Sequence, residues 1–392
     1  MLHRDPMTSK LAGFGTSIFA EMSALADETG AINLGQGFPD TDGPSEVLDA
    51  AVDAIRSGVN QYPPGTGMAL LREAVAAHQH RFYGVAHDPE AEVLITAGAT
   101  EALAGALLGM LDAGDEVVVF EPMFDSYPAA IALAGARVAP VLLRPDADGR
   151  YRFDPEELRR AVTERTKVIL LNTPHNPTGK VFDAEEMALV ASIALDHDLI
   201  VVTDEVYEHL VFPGATHVPM ATVPDMAERT LTISSGGKTF STTGWKIGWA
   251  CGPAALVAAT RAAKQFLTYV NGAPFQPAVA VGLGLGDAFF AGLAADLTTK
   301  RDRLGAGLRA AGLTVFEPEG TYFTTVDIRP VRPDGDGMAF CRSLPDLCGV
   351  VAVPNEVFYR RPEHGRHLVR FACAKRDAVL DDAVSRLAGV RP

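Results

Sequence analysis

A lysine followed eight positions later by a second lysine is the feature of this sequence that most directly suggests chemistry. Lys238 and Lys246 both lie in "SSGGKTFSTTGWKIGW" (234–249). The triplet Gly237-Lys238-Thr239 ends like a phosphate-binding P-loop, but such a loop needs a glycine five positions before its Gly-Lys pair. Thr232 stands at that position. The sequence therefore disfavours a nucleotide loop and leaves two uses for Lys238: covalent chemistry, or an ordinary solvated loop position.

Other polar and aromatic residues follow directly after apolar runs. Singly, Asp204 could cap a helix, Asn176 could form a turn and Phe124 could belong to a core. In open α/β sheets, however, ligands bind outside the carboxyl ends of the strands, so these residues are best considered together. The stretches are "AGATEA" (97–102), "EPMFDSY" (121–127), "NTPHNPTG" (172–179), "DEVYEHL" (204–210) and the stretch that contains Lys238.

This combination of side chains matches the needs of pyridoxal 5′-phosphate. That cofactor requires a lysine for a covalent bond and an acidic partner for its ring nitrogen, and Lys238 and Asp204 supply both. A carboxylate keeps the ring nitrogen protonated, so that the ring can draw electrons from a substrate. The phosphate needs a helix N-terminus and cations, which "GAT" (98–100), Ser235 and Lys246 provide.

The elements that must position these residues alternate between strands and helices from about residue 90 to 250. Strand runs that are apolar throughout are typical of a mainly parallel sheet covered on both faces. The pattern predicts an α/β fold with a large domain at 45–290. Predicted strands are "VLIT" (93–96), "EVVVF" (116–120), "RVAPVLL" (137–143), "KVILL" (167–171), "LIVVT" (199–203) and "TLTIS" (230–234), and the helices between them include 100–114 and 183–198.

The last hundred residues show a different pattern, in which helices mix with a few strands. Helical 297–312 is followed by strand-like "LTVFEPEGTYFTTVDI", "GVVAVP" and "HLVRFACA", and then by a closing helix at 376–389. This mixture predicts a small α+β domain. We expect it to combine residues 1–44 with residues 291–392.

The motifs taken in order resemble those of the class I/II aminotransferases, enzymes of fold type I that depend on pyridoxal phosphate. The resemblance rests on "NTPHNPTG", "DEVY", "SSGGKTFSTTGWKIGW" and "LVRF", and it extends from "INLGQGFPD" (32–40) and "NQYPPGTG" (60–67) to "HLVRFACAKRD" (367–377). Within that class the sequence is similar to kynurenine and glutamine transaminases, and more similar to the succinyldiaminopimelate aminotransferases of actinobacteria. The fold implied is a seven-stranded, mainly parallel sheet between helices, with a small α+β domain.

The resemblance implies a role for each matching residue at the cofactor ring. Lys238 would bond to the cofactor and later move the proton between the substrate α-carbon and the cofactor. Asp204 would pair with the ring nitrogen, and Asn176 and Tyr207 would hydrogen-bond the phenolic oxygen. Phe124 would stack on the ring face.

The resemblance also implies how the phosphate is held. The backbone amides of Ala99 and Thr100 would bind it together with Ser235 and Lys246. Tyr62 matches a tyrosine that reaches the phosphate from the neighbouring subunit. The expected assembly is therefore a homodimer with shared active sites.

The substrate side of the site is implied in the same way. Arg370 matches the arginine that binds the substrate α-carboxylate through two hydrogen bonds, a task suited to a planar guanidinium. Gly37 matches a glycine whose backbone approaches the same carboxylate, Asn176 lies in the same pocket, and Phe19 matches an aromatic wall.

The net charge of the chain indicates which kind of partner it binds. A net charge of −15 leaves no basic surplus for a nucleic acid or an anionic membrane, so the expected partner is a small molecule.

The four cysteines form no CxxC pair and have no metal-ligand spacing with histidine, which predicts reduced thiols in a cytoplasmic protein without a bound metal. The N-terminus lacks the apolar core of a signal peptide, and the uncharged run at 265–286 is interrupted by prolines and glycines, which predicts a helix end, a loop and a second buried helix.

The predicted function is transfer of an amino group between an amino acid and a 2-oxo acid by a two-stage ping-pong mechanism. The resemblance favours N-succinyl-LL-diaminopimelate with 2-oxoglutarate, a step of lysine biosynthesis. A kynurenine-, glutamine- or methionine-type transaminase and a cysteine-conjugate β-lyase are the alternatives. A dinucleotide enzyme is disfavoured because "GLGLGD" ends at Asp287 where its fingerprint needs glycine. His175 and His209 are interpreted as structural, since Lys238 already accounts for the proton transfer.

Overall fold

A seven-stranded sheet covered by helices forms the centre of the fold. The computed structural model describes residues 7–15 and 17–390. Within them the helices are α1 (Ile18–Thr29), α2 (Ser45–Arg56), α3 (Ala69–Tyr83), α4 (Gly98–Met110), α5 (Ser126–Ala134), α6 (Pro155–Ala161), α7 (Ala184–Asp196), α8 (Gly236–Thr239), α9 (Ala254–Lys264), α10 (Phe275–Leu283), α11 (Asp287–Ala310), α12 (Gly337–Cys348) and α13 (Asp377–Leu387).

The strands are shorter and carry the site residues at their ends. They are β1 (Ile32–Asn33), β2 (Val93–Ala97), β3 (Glu116–Glu121), β4 (Arg137–Leu142), β5 (Arg144–Pro145), β6 (Tyr151–Arg152), β7 (Thr166–Asn172), β8 (Ile200–Asp204), β9 (Thr230–Ser235), β10 (Ile247–Cys251), β11 (Thr314–Val315), β12 (Phe323–Asp327), β13 (Val350–Val351), β14 (Val353–Pro354) and β15 (Leu368–Ala372).

The central sheet has the order β2-β10-β9-β8-β7-β3-β4. Strand β10 is antiparallel to both of its neighbours, and the pairs from β9 through β8, β7 and β3 to β4 are parallel. A separate antiparallel sheet, β11-β12-β15-β14, is built from the last eighty residues, and two strand pairs, β1-β13 and β5-β6, complete the described strands. The predicted fold class, with its seven-stranded and mainly parallel sheet, is confirmed.

The strands are apolar throughout because both faces of the sheet are covered. On β3, Val117 and Val119 pack with side chains of α4, α5 and α9. Val118 and Phe120, the residues between them, pack on the opposite face with α6 and α7. Burying one such side chain fully contributes about 1.5–3 kcal/mol, so the alternation anchors the strand between two helix layers. The ends of the strands are thereby held in fixed positions.

Two features of the central sheet differ from the sequence-based expectations. The seventh strand, β10, was not among the six quoted runs, and its glycine at position 248 interrupts the apolar pattern. The Gly-Lys-Thr stretch, expected as a loop after a strand, forms the short helix α8. The six predicted strands and the helices at 100–114 and 183–198 are present with ends shifted by a few residues.

The uncharged run at 265–286 agrees with the prediction of a helix end, a loop and a second helix. Helix α9 ends at Lys264, and α10 follows after a loop. No single helix among the described residues has the length and apolar character to cross a membrane, although the strongly bent pair α10 and α11 meets that criterion by length and composition. The division into domains at residues 44 and 290 stays a prediction.

Candidate functional site

A cavity of about 250 Å³ lies at the carboxyl end of the central sheet. It brings together residues that are far apart in the chain because the parallel strands end side by side, with Asn172 of β7 in register with Asp204 of β8. The predicted residues that line it are Ala99, Thr100, Phe124, Asn176, Asp204, Tyr207, Ser235, Lys238 and Lys246.

Asp204 is a buried carboxylate at the end of β8. The hydroxyl of Tyr127 donates a 2.7 Å hydrogen bond to its Oδ2, and the side-chain amide of Asn172 donates to its backbone carbonyl over 2.8 Å. Burial raises the pKa of Asp204, while the hydrogen bond from Tyr127 and the charge of Lys238 act in the opposite direction. This arrangement places one oriented acidic group on the floor of the cavity.

Lys238 lies on α8, directly after the strand that ends at Ser235. Its Nζ donates a 3.3 Å hydrogen bond to the backbone oxygen of Gly37 and lies 5.6 Å from the centroid of the Tyr207 ring. Tyr207 is itself buried, and burial raises its pKa well above the usual value, so its hydroxyl stays protonated and can donate. A primary amine and a phenol donor therefore face the same space.

The opposite end of the cavity is suited to an anion. Helix α4 begins there at Gly98, which has φ +73°, and a Cβ at that position would lie 3.2 Å from Nζ of Lys246. The side chain of Lys246 is exposed, and partial desolvation of its ammonium, followed by the positive charge of Lys238, lowers its pKa. Within the described part of the chain, Lys246 Nζ makes no hydrogen bond or ion pair. A helix N-terminus beside two cations is a favourable phosphate site.

Arg370 lies outside the lining of the cavity but is bonded to it. Its Nη1 donates a 2.8 Å hydrogen bond to Oδ1 of Asn176, and its Nη2 donates to the backbone oxygen of Gly35 over 2.9 Å. The guanidinium is packed against aromatic rings, the nearest being that of Phe323 at 4.0 Å from the centroid. Burial lowers its pKa to about 10, so it stays charged at neutral pH.

Gly37 and Phe19 lie beside this arginine. A Cβ at Gly37 would lie 2.7 Å from the Phe323 ring, so only glycine lets the backbone pass there. Its carbonyl also accepts a 2.5 Å hydrogen bond from the hydroxyl of Tyr322. The ring of Phe19 has its centroid 5.1 Å from Cζ of Arg370. Both predicted substrate residues are therefore close to Arg370.

Tyr62 does not line the cavity of its own chain. Its side chain is 82% exposed, and its ring packs edge to face on Tyr269 at 5.6 Å. The prediction placed this tyrosine in the active site of a neighbouring subunit, and its exposure is compatible with that assignment.

None of the histidines in the described part of the chain lines the cavity. His175 is buried, its Nδ1 is 2.8 Å from the hydroxyl of Thr178, and burial lowers its pKa to about 3. Among the described residues, His78, Glu208 and His209 form a group whose potential metal-ligand atoms lie within 4.8 Å of one another. The two Nε2 atoms are 2.7 Å apart, a distance that a hydrogen bond between neutral imidazoles explains.

Sequence reasoning missed several lining residues. Tyr127 and Asn172 were inside quoted stretches, three residues after Phe124 and at the start of "NTPHNPTG", but neither received a role. Tyr322, in "TYFTT", lies outside the cavity lining but donates to the backbone of Gly37, and it was not considered as a site residue. The remaining lining residues that were not predicted are Leu103, Val206, Gly237, Thr243 and Ile247, whereas Gly98 was expected as part of the phosphate-binding "GAT". A signal was available for Asn172, because polar residues that end neighbouring strands must lie together.

The residues present fit pyridoxal phosphate. The cavity offers an amine at Lys238, a buried carboxylate at Asp204, and a helix N-terminus with Lys246 for a phosphate. Next to it, Nε of Arg370 is buried without a hydrogen-bond partner among the described residues. A guanidinium N–H left unpaired inside a protein is costly unless a ligand such as a carboxylate completes it.

Comparison with known proteins agrees with this site. The family described as aminotransferase class I and II matches residues 29–387. The probable N-succinyldiaminopimelate aminotransferase DapC of Mycobacterium tuberculosis is 54% identical over 387 residues, which cover 97% of each chain. The methionine aminotransferase of Escherichia coli is 40% identical over 379 residues, again covering 97% of each.

A solved structure of an aminotransferase is also similar to this chain. The three-dimensional structure of N-succinyldiaminopimelate aminotransferase from Mycobacterium tuberculosis superimposes with a TM-score of 0.96 at 54% identity, covering 98% of this chain and 100% of that one. The chain therefore belongs to the class I and II aminotransferases, the fold type I enzymes that use pyridoxal 5′-phosphate to move amino groups between amino acids and oxo acids.

Proposed function

We propose that this aminotransferase takes the amino group of N-succinyl-LL-diaminopimelate and passes it to 2-oxoglutarate by a ping-pong mechanism. The observation that carries the proposal is the 54% identity, over 97% of both chains, to the probable N-succinyldiaminopimelate aminotransferase of Mycobacterium tuberculosis. The methionine aminotransferase is a more distant relative at 40%. Methionine and the other neutral amino acids are therefore the second candidate donors.

The cofactor supplies an electron-withdrawing ring that makes the α-hydrogen of the bound substrate acidic. Lys238 would hold it covalently and carry the proton away from the α-carbon, because its Nζ is a primary amine that lines the cavity beside the ring of Tyr207. Asp204, buried and accepting from Tyr127, would hold the ring nitrogen protonated. Phe124 would lie against the ring face, and the pairing of its ring with that of Tyr127 at 5.7 Å fixes its position.

Asn176 would act on both sides of the site. Its Oδ1 accepts from Arg370, which leaves Nδ2 as the donor available for the phenolic oxygen of the cofactor. Tyr207 would donate to the same oxygen. Arg370 would bind the substrate α-carboxylate through its unpaired Nε edge, with the backbone of Gly37 and the ring of Phe19 bounding the substrate.

The phosphate would bind at the start of α4. Its ligands would be the amides of Ala99 and Thr100, the hydroxyl of Ser235 and the ammonium of Lys246. Lys246 is exposed in the single chain, so its ammonium is open to a phosphate that binds at this end of the cavity.

A homodimer with shared active sites is part of the proposal. Tyr62 would complete the phosphate site of the partner subunit. Support comes from a set of large apolar side chains that the single chain leaves exposed: Tyr62 at 82%, Phe266 at 84%, Tyr269 at 56%, Ile55 at 46% and Leu70 at 45%. Such side chains favour a protein interface.

We further propose that the enzyme works in the cytoplasm. The four cysteines are free thiols in the described part of the chain, and three of them are buried. Unpaired thiols are typical of a reducing compartment.

The test of the substrate is a comparison of amino donors at a fixed concentration of 2-oxoglutarate, with glutamate formation as the readout. N-succinyl-LL-diaminopimelate should give the highest kcat/KM, and methionine, glutamine and kynurenine should be at least about 10-fold lower, a difference of about 1.4 kcal/mol in transition-state binding. Equal or higher values for methionine or kynurenine would contradict the proposal.

A second incubation distinguishes transamination from elimination. With enzyme and amino donor alone, a transaminase completes one half-reaction, so product formation should stop at one equivalent per active site. Sustained release of pyruvate and ammonia from a cysteine conjugate would indicate a β-lyase instead.

A further inference from the structure

Tyr127 is buried next to the cavity and touches two residues that were assigned to the cofactor ring. Its hydroxyl donates a 2.7 Å hydrogen bond to Oδ2 of Asp204. Its ring meets that of Phe124 edge to face at 5.7 Å and 78°. Phe124, Tyr127 and Asp204 come from two different strand ends, yet all three line the same cavity.

The hydrogen bond from Tyr127 occupies one carboxylate oxygen of Asp204 and leaves the other largely free. Oδ2 accepts from Tyr127, and among the described residues Oδ1 accepts only a long 3.4 Å bond from the backbone N–H of Val206. The backbone carbonyl of Asp204 is fixed separately by the side chain of Asn172 and the N–H of Thr173. The main chain is therefore held by β7, whereas rotation of the carboxylate itself is restrained by Tyr127.

The ionisation of Asp204 also depends on the hydrogen bond from Tyr127. Burial raises its pKa, and the hydrogen bond from Tyr127 is the largest of the effects that lower it. Burial raises the pKa of Tyr127 well above 10, so this phenol donates rather than ionises across the physiological range. A buried carboxyl without its donor would take up a proton, and a neutral carboxyl cannot hold a protonated ring nitrogen.

From this geometry we infer that Tyr127 is a positioning residue for the cofactor: it orients Asp204 toward the ring nitrogen through its hydroxyl and fixes Phe124 against the ring face through its edge. Substitutions can test the two contacts separately. Tyr127→Phe removes the hydroxyl and keeps the ring, so it isolates the action on Asp204.

The inference rests on the proposed cofactor site, and a double-mutant cycle tests it without relying on activity. Apoenzyme is titrated with pyridoxal phosphate for four proteins: wild type, Y127F, D204N and the double variant. Because a hydrogen bond to a charged group changes equilibria about 10- to 100-fold, Y127F should bind the cofactor at least about 10-fold more weakly than wild type. In the D204N background, Tyr127→Phe should weaken cofactor binding by less than about 3-fold.

A spectroscopic readout accompanies the titration. The visible absorption of bound cofactor depends on protonation of the nitrogen that joins it to Lys238, and a protonated ring withdraws electrons from that nitrogen. Y127F should therefore shift the titration of this band to higher pH. A residue with only a packing role would leave the titration unchanged.

Tyr151→Phe is the matched control, because it also removes a buried phenolic hydroxyl. Tyr151 lies on β6 and packs on Phe316 at 5.6 Å, away from the cavity. Y151F should bind the cofactor like wild type. Thermal unfolding of each apoenzyme checks that the variants are folded.

Two results would overturn the inference: wild-type affinity with an unshifted band in Y127F, or an equal loss of affinity from Y127F in both backgrounds. Failure of wild-type protein to bind pyridoxal phosphate at all would instead contradict the proposed cofactor site. If Y127F alone fails to fold, Phe124→Leu tests the second contact, with an expected loss of affinity and no shift of the band.

Discussion

Nη1 of Arg370 donates a 2.8 Å hydrogen bond to Oδ1 of Asn176, and this bond joins the residue expected at the substrate carboxylate to one expected at the cofactor. The bond fixes the orientation of both side chains. It also determines which guanidinium edge is available, since Nη2 donates to Gly35 and Nε has no partner among the described residues. We propose that a substrate carboxylate completes this unpaired N–H while the two existing contacts remain.

Arg370→Lys should impair substrate binding more than cofactor binding. Lysine keeps the positive charge but cannot make the planar pair of hydrogen bonds, so kcat/KM for 2-oxoglutarate should fall about 100-fold. The affinity for pyridoxal phosphate should stay within about 3-fold of wild type. Steady-state kinetics and cofactor titration measure the two effects, and an unchanged kcat/KM would contradict the assignment.

Lys246→Met should weaken binding of the phosphate specifically. Removing one charge-assisted contact should lower the affinity for pyridoxal phosphate about 10- to 100-fold. Pyridoxal, which lacks the phosphate, serves as the control ligand, and its affinity should be the same in wild type and variant. An equal loss for both ligands would show that Lys246 acts on the fold or the ring instead.

The positions of six of the seven central strands, and the residues at their ends, follow from the sequence with small shifts. Runs such as "KVILL" are apolar at every position because they are covered on both faces, and that pattern is local. The antiparallel strand β10 was harder to identify because Gly248 stands within it and only the one-turn helix α8 and a short irregular segment, not a long crossover helix, separate it from β9.

Contacts between distant residues could not be predicted in the same way. Tyr127 reads as a core aromatic of a helix until its partner is known, and that partner, Asp204, is 77 positions away. The bond between Arg370 and Asn176 spans 194 positions. Residue type and strand order indicate that such groups meet at one edge of the sheet, but hydrogen-bond partners depend on side-chain directions that only the folded chain defines.

Stability should fall in mild acid because buried histidines are kept neutral. Burial lowers the pKa of His78 to about 4 from 6.5, with the nearby charge of Arg81 acting in the same direction. A lowered folded-state pKa means that stability is present above pH 6.5 and is lost as the pH falls toward 4. This one group should cost about 2 kcal/mol between pH 7.5 and pH 5.

His78→Gln is the variant that isolates this effect. Urea unfolding at pH 7.5 and pH 5 should show a smaller drop in the free energy of unfolding for the variant than for wild type. His209, whose pKa is also lowered to about 4 mainly by burial, contributes in the same range and stays in both proteins. Equal drops in the two proteins would exclude His78 as a source of acid lability.

Mixing two inactive variants should restore activity if the subunits share their sites. Lys238→Ala removes the covalent lysine, and Tyr62→Ala removes the residue proposed to reach the partner's phosphate site. In a mixed dimer, the site that keeps Lys238 receives an intact Tyr62 from the other chain. Activity after refolding the mixture should therefore exceed that of either variant alone, whereas no gain, with mixed dimers present by native mass spectrometry, would contradict shared sites.

The most direct test of the account is to find the lysine that bonds to the cofactor. Purified enzyme is reduced with borohydride and digested, and the modified peptide is sequenced by mass spectrometry. The account predicts reduced pyridoxal phosphate on Lys238 and loss of the visible absorption band in Lys238→Ala. Attachment to Lys246 or another lysine, or an unchanged band in Lys238→Ala, would contradict it.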